Sequence, residues 1–92
     1  NWTIYSDNRA AKALSNGKSL LAAGITKING NFKKGENVII LDQNNNQLAR
    51  GLSSFSSVEI DKIKGKQRRE IEMILGYLSK TEVIHKDDMV LL

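Results

Sequence analysis

The chain has 92 residues, of which 14 are Lys or Arg and 10 are Asp or Glu, and its formal net charge is +4; this is enough sequence for one small domain and too little for two. It contains no cysteine and a single histidine, His85, so neither a disulfide framework nor a thiolate or histidine metal site can hold the fold, and packing must do so. No apolar run approaches the roughly 20 residues of a membrane-spanning helix.

The first segment, Asn1–Tyr5, has neither an initiator Met nor the basic stretch followed by an apolar core that marks a secretion signal. We therefore expect a fragment of a longer protein. Asn1–Tyr5 is expected to be a linker, or a strand that contacts the upstream part of that protein.

A short helix is predicted next. Ser6 or Asp7 can cap its N-terminus, and apolar residues recur at helical spacing from Ala10 to Leu14. Asn16-Gly17 supplies the left-handed residue that typically ends a helix.

Short strands are predicted in the two segments that follow. From Ser19 to Phe32 glycines recur and mark tight bends around extended pieces such as Gly24–Ile28. Val38–Leu41 is a continuous, mostly β-branched run, and the polar segment Asp42–Asn46 separates it from Gln47–Ser53. This order predicts a β-hairpin.

Two further helices and two further strands complete the chain. Ser56–Glu59 matches the Ser-x-x-Glu capping box and predicts a short helix that ends before Gly65. Apolar residues at i, i+3, i+4 and i+7 predict a third helix over Gln67–Leu78. Glu82–His85 and Met89–Leu92 are predicted strands, joined by a turn into a second hairpin.

Helices and strands intermix in this order without a regular βαβ repeat. The sequence therefore predicts an α+β fold that is mainly β, a small barrel or sheet of short strands with about three short helices.

Gly17-Lys18-Ser19 matches the end of a phosphate-binding P-loop, but its surroundings do not. Lys12 stands where the first glycine of that motif belongs, the segment closes a helix instead of opening one, and no strand leads into it. We predict a helix C-terminus with a solvated Lys18.

The acidic residues are scattered, and none pairs with a histidine or second carboxylate at a spacing that suits catalysis. His85 beside Asp87 has the groups for a proton transfer, yet a lone histidine at a strand end is more often a structural residue that caps a turn. We therefore predict no catalytic and no metal site in this segment.

Five cationic side chains crowd into eight positions near the second and third helices. They are Lys62, Lys64, Lys66, Arg68 and Arg69. Such a cluster can bind a polyanion through counterion release. Acidic residues flank it on both sides, so i, i+4 pairs offset much of its field and a solvated charged face is favoured.

A second basic group, Lys12, Lys18 and Lys27, surrounds the glycine-bearing segment after the first helix. Exposed backbone amides there could meet phosphate groups. The chain has one Trp, two Tyr and two Phe, too few aromatic residues for a base-stacking platform.

Two sets of motifs resemble a known family. Gly17–Thr26, Gly30-Asn31-Phe32 and Ala49–Leu52 resemble the PUA domain in their glycines and strand starts. Ile74-Leu75-Gly76-Tyr77 and Glu82–Leu91 look like the C-terminal PUA domain of bacterial glutamate 5-kinases. The chain departs from that pattern where a proline is usual, at Ala22, and again at Ser53-Ser54-Phe55.

The resemblance implies a PUA-type pseudo-barrel, with residues 1–92 forming a single PUA domain. It further implies a cytoplasmic parent enzyme of proline biosynthesis that transfers phosphate from ATP to L-glutamate with Mg and forms a homo-oligomer. Its catalytic, ATP and Mg residues would lie in an upstream amino-acid kinase domain. The fragment alone is expected to be inactive, with no cofactor, no metal and no membrane partner.

The resemblance also implies an RNA surface, because PUA domains serve RNA-modification enzymes as RNA-binding modules. Together with the second basic group, the expected RNA or anion contacts are Lys12, Lys18, Ser19, Ala23, Gly24, Ile25, Lys27, His85 and Lys86. Three functions stay open: a noncatalytic regulatory and interaction domain of the kinase, an RNA-binding domain of that kinase, and an RNA-binding module of an RNA-modifying enzyme.

Overall fold

The computed structural model describes residues 2–77 and 80–92. The strands are β1 (Thr3–Ser6), β2 (Leu20–Leu21), β3 (Ile25–Asn29), β4 (Asn37–Leu41), β5 (Gln47–Leu52), β6 (Glu82–Ile84) and β7 (Met89–Leu91). The α-helices are α1 (Asn8–Ser15), α2 (Ser57–Ile63) and α3 (Arg68–Leu75), and 3-10 turns cover Ala22–Gly24 and Lys86–Asp88. These elements confirm the predicted α+β fold, mainly β, with short helices.

The strands form two sheets of unequal size. One has five strands in the order β3-β1-β4-β5-β7, and the other pairs β2 with β6. β1 runs parallel to β4, whereas its pairing with β3 is antiparallel, as are the pairings of β4 with β5 and of β5 with β7. The larger sheet is therefore mixed, as the predicted pseudo-barrel of mixed strands requires.

The first strand is an interior member of the larger sheet. It lies between β3 and β4, and the Ile4 side chain is 0% exposed. The start of the chain forms a strand over Thr3–Ser6, while Asn1 lies outside the described residues and contact with an upstream part of the protein stays a prediction. Ile4 packs inside this chain's own core, so it is not available to contact an upstream domain.

One hydrophobic core joins the sheet to all three helices. Ile4, Val38, Ile40 and Ala49 come from the sheet, and Leu14, Ile60, Ile63 and Ile71 come from the helices. Short helices of 7 or 8 residues are marginal in isolation, so burial of these side chains is what keeps the helices in place.

The predicted helix caps are confirmed. Asp7 is the N-cap of α1, and its carboxylate accepts from the Ala10 N–H at 2.8 Å. At α2 the Ser56 hydroxyl accepts from the Glu59 N–H at 3.2 Å, while the Glu59 carboxylate accepts from the Ser56 N–H at 3.0 Å. That reciprocal pair satisfies backbone donors that the helix itself leaves unpaired.

The predicted hairpin of β4 and β5 is also confirmed. Val38 pairs with Gly51 and Ile40 with Ala49. The Asp42 carboxylate accepts from the backbone N–H groups of Asn44 and Asn46 at 2.8 and 2.9 Å. The Asn46 backbone contact is the main cause that lowers the Asp42 pKa below its ordinary value, because a hydrogen-bonded carboxylate favours its charged form.

The predicted second hairpin is wrong. β6 pairs with β2, matching Leu20 with Ile84, and β7 pairs with β5, matching Gly51 with Met89. The crossing is tight at Gly51, where a Cβ would lie 2.6 Å from the Ile84 Cγ2. The chain therefore passes from one sheet to the other through the turn at Lys86–Asp88 instead of folding back on itself.

The third helix is shorter than predicted. It ends at Leu75, and Gly76 follows in the left-handed conformation with φ 75°. Leu78, which the sequence pattern assigned to this helix, lies outside the described residues. Ile71 of α3 is buried as expected, whereas Ile74 stays 42% exposed.

Candidate nucleic-acid interface

A depression lies between α1, the turn at Ala22–Gly24 and the end of β6. This groove has a volume of about 800 Å³. Its walls include Arg9, Lys18, Ser19, Ala23, Gly24, Gln67, Glu82, His85 and Lys86. The groove therefore collects residues from four separate parts of the chain.

One wall depends on the close approach of the 3-10 turn to α1. The Asp7 N–H donates to the Gly24 carbonyl at 2.9 Å. A Cβ at position 24 would lie 2.5 Å from the Ala10 Cβ, far inside normal carbon contact. Only glycine lets the turn lie this close to the helix.

The opposite rim is the C-terminal end of α1. The Gly17 N–H donates to the Leu14 carbonyl at 2.9 Å, and the Lys18 N–H donates to the Ala13 carbonyl at 3.0 Å. These bonds satisfy carbonyls that the helix end would leave unpaired. The segment Gly17-Lys18-Ser19 is thus a helix end with an exposed Lys18, as predicted, and the strand β2 follows it instead of preceding it.

Ser19 and His85 hold the third side of the groove. The Ser19 hydroxyl accepts from the Lys86 N–H at 2.8 Å, which ties together segments 67 positions apart. His85 Nδ1 accepts from the Asp87 N–H at 3.1 Å and caps the turn at Lys86–Asp88. The structural interpretation of His85 is therefore confirmed, and its ring forms part of the groove wall.

The charged side chains of the groove differ in how they are held. Arg9, Lys18 and Lys86 are exposed at the rim. The carboxylate of Asp7 is occupied as the helix cap, and Glu82 Oε2 lies 3.9 Å from His85 Nε2. The rim therefore presents positive charge to solvent, and the Asp7 carboxylate is occupied by the N-terminus of α1.

Six of the nine predicted contacts line this groove and three do not. The six are Lys18, Ser19, Ala23, Gly24, His85 and Lys86. The Ile25 side chain is 2% exposed and lies in the core. Lys12 is exposed on α1 outside the groove lining, and Lys27 lies over the Tyr5 ring, 4.4 Å from its centroid.

Several lining residues were not predicted as contacts, among them Arg9, Ala13, Asn16 and Gln67. Arg9, Ala13 and Asn16 follow one another at helical spacing, and this shared face of α1 was a usable signal in the sequence. Gln67, the N-cap of α3, reaches the groove only through tertiary packing. Nothing near Gln67 in the sequence indicates that it lines the groove.

The basic run at positions 62–69 is partly paired, as its acidic neighbours predicted. Lys64 forms an ion pair with Asp61, and Arg68 Nε lies 3.4 Å from Glu72 Oε1. Both pairs are at the surface, where such contacts contribute about 0 to 1 kcal/mol. They offset part of the local field without removing these cations from solvent.

Glu59 belongs to helix structure and not to this groove. Its pKa is lowered chiefly by the hydrogen bond from the Ser56 backbone, with further contributions from the Tyr77 hydroxyl and Lys34. Among residues 2–77 and 80–92 no group of three or more potential metal ligands comes together. Within the same residues, no helix has the length and apolar character to cross a membrane.

Comparison with known proteins identifies similar sequences. The family model for the PUA domain matches residues 2–75. The chain is 64% identical over 84 residues to glutamate 5-kinase of Pelagibacter ubique. That alignment covers 91% of this chain and 23% of the relative, so the chain spans about a quarter of the length of the curated protein it matches.

Solved structures show the same fold at low sequence identity. A PUA domain from Aeropyrum pernix, crystallised as a tartrate complex, is 22% identical with a TM-score of 0.69, and the match covers 95% of this chain and 44% of that one. The archaeal box H/ACA sRNP Nop10-Cbf5 complex is 24% identical with a TM-score of 0.66, covering 90% of this chain and 24% of that one.

Proposed function

Because this chain belongs to the PUA domain family, we propose that residues 1–92 are the noncatalytic PUA domain of a longer glutamate 5-kinase, which they serve as a regulatory and interaction module. The observation that supports a glutamate 5-kinase as the parent enzyme is the 64% identity to such a kinase over most of this chain. The same kinship disfavours the alternative, a module of an RNA-modifying enzyme, since likeness to the H/ACA protein is confined to fold.

The parent would transfer phosphate from ATP to L-glutamate in the cytoplasm as a homo-oligomer, in the first step of proline biosynthesis. ATP and Mg would be bound by an amino-acid kinase domain elsewhere in that chain.

Deleting this domain from the full-length kinase tests its noncatalytic, regulatory role in that enzyme. We expect glutamate phosphorylation to persist, with a change in Mg dependence, proline inhibition or assembly, and we expect the 92-residue chain alone to show no ATP-dependent activity. A truncated kinase that folds and binds ATP but has lost all activity would contradict the noncatalytic role. The upstream sequence of the gene separates the kinase from an RNA-modifying enzyme.

The groove supports a second part of the proposal, that this domain binds structured RNA through its phosphate backbone. Arg9, Lys18 and Lys86 line one depression. Cationic side chains grouped in this way neutralise phosphates with release of counterions. His85 contributes the one aromatic ring among the described lining residues. Recognition would therefore rest on backbone charge and shape more than on base stacking.

Binding of bulk tRNA, as a pool of structured RNA, tests this at low and at physiological salt. The variant Lys18→Glu/Lys86→Glu changes two groove residues, and Lys12→Glu/Lys27→Glu makes the same change of charge outside the groove. We expect the first variant to bind more weakly and with a smaller salt slope than the second. Equal affinities would reject the groove as the RNA surface, and no binding by the unaltered domain at low salt would reject RNA binding itself.

A further inference from the structure

The groove is not closed at its α3 end. A small depression of about 210 Å³ adjoins it and shares Leu21, Ala23 and Gln67 with it. A second groove of about 550 Å³ shares Arg68 and Thr81 with that small depression. The three depressions thus adjoin one another in a row along the surface, from the end of α1, past the start of α3, to Lys34. We call this row of depressions the channel.

From this arrangement we propose that the RNA surface extends beyond the first groove, along the start of α3, and binds the phosphate backbone again at the second groove. This inference rests on the proposed RNA binding and enlarges its site. We call the added part the α3 extension and define it by Lys66, Arg68 and Lys34.

Charge along the channel favours a polyanion. Arg9, Lys18 and Lys86 line the first groove, Lys66 and Arg68 the small depression, and Arg68, Lys34 and Lys80 the second groove. Asp7, Glu59 and Glu82 are the acidic residues of the same three linings. Seven cationic side chains therefore face three carboxylates, and the cations occur in every part of the channel.

Two of the three carboxylates are engaged in hydrogen bonds within the protein. Asp7 caps α1, whereas Glu82 Oε2 lies 3.9 Å from His85 Nε2, too far for a hydrogen bond. Glu59 accepts from the Ser56 N–H and also from the Tyr77 hydroxyl at 3.2 Å. A carboxylate held in such bonds has part of its charge balanced by donors, so repulsion of an approaching phosphate is reduced.

The cations of the α3 extension can turn toward a ligand at small cost. Lys66 and Lys34 are exposed. Arg68 is 67% exposed in its side chain and its contact with Glu72 is long, at 3.4 Å. A surface pair of this kind contributes about 0 to 1 kcal/mol, and a phosphate can take the place of Glu72.

Some cations of the basic run at positions 62–69 line the channel and others do not. Lys66 and Arg68 line the channel, whereas Lys62 lies on α2 and appears in none of the three linings. Likewise Lys34 lines the second groove and its neighbour Lys33 lines none of the three. These neighbours supply controls of the same residue type, charge and exposure.

The decisive comparison uses two double variants of this domain and bulk tRNA as the probe. Lys34→Gln/Lys66→Gln removes two cations from the extension, and Lys33→Gln/Lys62→Gln removes their neighbours. Each phosphate contact contributes about 0.7 to 0.9 to the slope of log K against log salt. We expect the extension variant to lose about 1.4 to 1.8 from that slope, and the control variant to lose much less.

A slope smaller by this amount means that lowering the salt from 1 M to 0.1 M strengthens tRNA binding by the extension variant about 25- to 60-fold less than it strengthens binding by the unaltered domain. Equal slopes for the two variants, with Lys18→Glu/Lys86→Glu still weakening binding, would overturn the extension and leave the proposed RNA groove standing. Failure of the unaltered domain to bind tRNA would overturn both. Thermal unfolding of each variant confirms that the comparison is made between folded proteins.

Discussion

One methyl group added at Gly24 probes how the groove is built. Its Cβ would lie 2.5 Å from the Ala10 Cβ, but 3.6 Å from the Ala10 Cα and from Asp7 Oδ1. Carbon atoms in good contact are about 3.5 to 4.0 Å apart, so only the first of these contacts is a clash. Relieving it requires the turn and α1 to separate by about 1 Å or more.

We expect Gly24→Ala to lower the free energy of unfolding by about 1 to 3 kcal/mol, the usual cost of overpacking. For a domain of this size each kcal/mol lowers Tm by about 4 to 8 °C. Urea unfolding followed by circular dichroism measures the change. An unaltered midpoint would mean that the turn moves away from α1 without cost, and the reasoning about close approach would be refuted.

A double-mutant cycle with Ala10→Gly tests the specific contact. Ala10→Gly alone costs about 0.5 to 1 kcal/mol, because glycine is unfavourable within a helix. It also removes the atom that the new methyl group meets. We expect the double variant to be more stable than the sum of the single effects predicts, by about 1 to 3 kcal/mol. Simple additivity would show that Gly24→Ala acts through something other than Ala10.

Three further predictions concern single residues. The Glu59 pKa is lowered from its ordinary value of 4.5, so the stability that Glu59 contributes is complete above pH 4.5 and is lost as pH falls through the folded-state pKa. We expect Glu59→Gln to make the urea midpoint depend less on pH in this acid range. An unchanged dependence would contradict the role of Glu59 in the cap. Ser19→Ala removes the hydroxyl that accepts from the Lys86 N–H at 2.8 Å, a hydrogen bond that contributes about 0.5 to 1.5 kcal/mol. The Lys86 amide hydrogen should therefore exchange with solvent about 2- to 10-fold faster. Unaltered exchange would argue against this bond between the two segments. Gly51→Ala places a Cβ 2.6 Å from the Ile84 Cγ2 and 2.7 Å from the Asp88 carbonyl oxygen, whereas Gly24→Ala makes only one contact under 3.0 Å. We therefore expect Gly51→Ala to destabilise the domain more than Gly24→Ala does in the same urea assay, and a smaller effect would disprove the tight crossing.

Local features were predictable because their hydrogen bonds join residues close in sequence. Asp7 bonds to the amide three residues on, and the Ser56 and Glu59 pair spans the same separation. Asp42 bonds to amides two and four residues on. Because donor and acceptor lie within a few residues of each other, residue type and spacing predict these bonds, although tertiary packing is what keeps the short helices in place.

The groove was predictable only in part. The family resemblance placed Lys18, Ser19 and Lys86 on one RNA-facing surface, and the structure brings these three residues to the same groove; their contact with RNA stays a prediction. Basic residues chosen by charge alone were less well placed, since Lys12 and Lys27 lie outside the lining. A positive side chain near a glycine segment in sequence carries no information about which way its strand or helix faces.

The caps, the turn at Asp42 and the approximate helices could be predicted from residue type and spacing, since each involves residues within one or two turns of chain. The pairing of the strands could not be predicted in this way. Glu82–His85 and Met89–Leu92 have the pattern of a hairpin, yet β6 joins β2 and β7 joins β5. Pairing across such distances depends on which apolar side chains can be buried together and where a backbone can approach, as at Gly51, and these conditions exist only once distant parts of the chain have met.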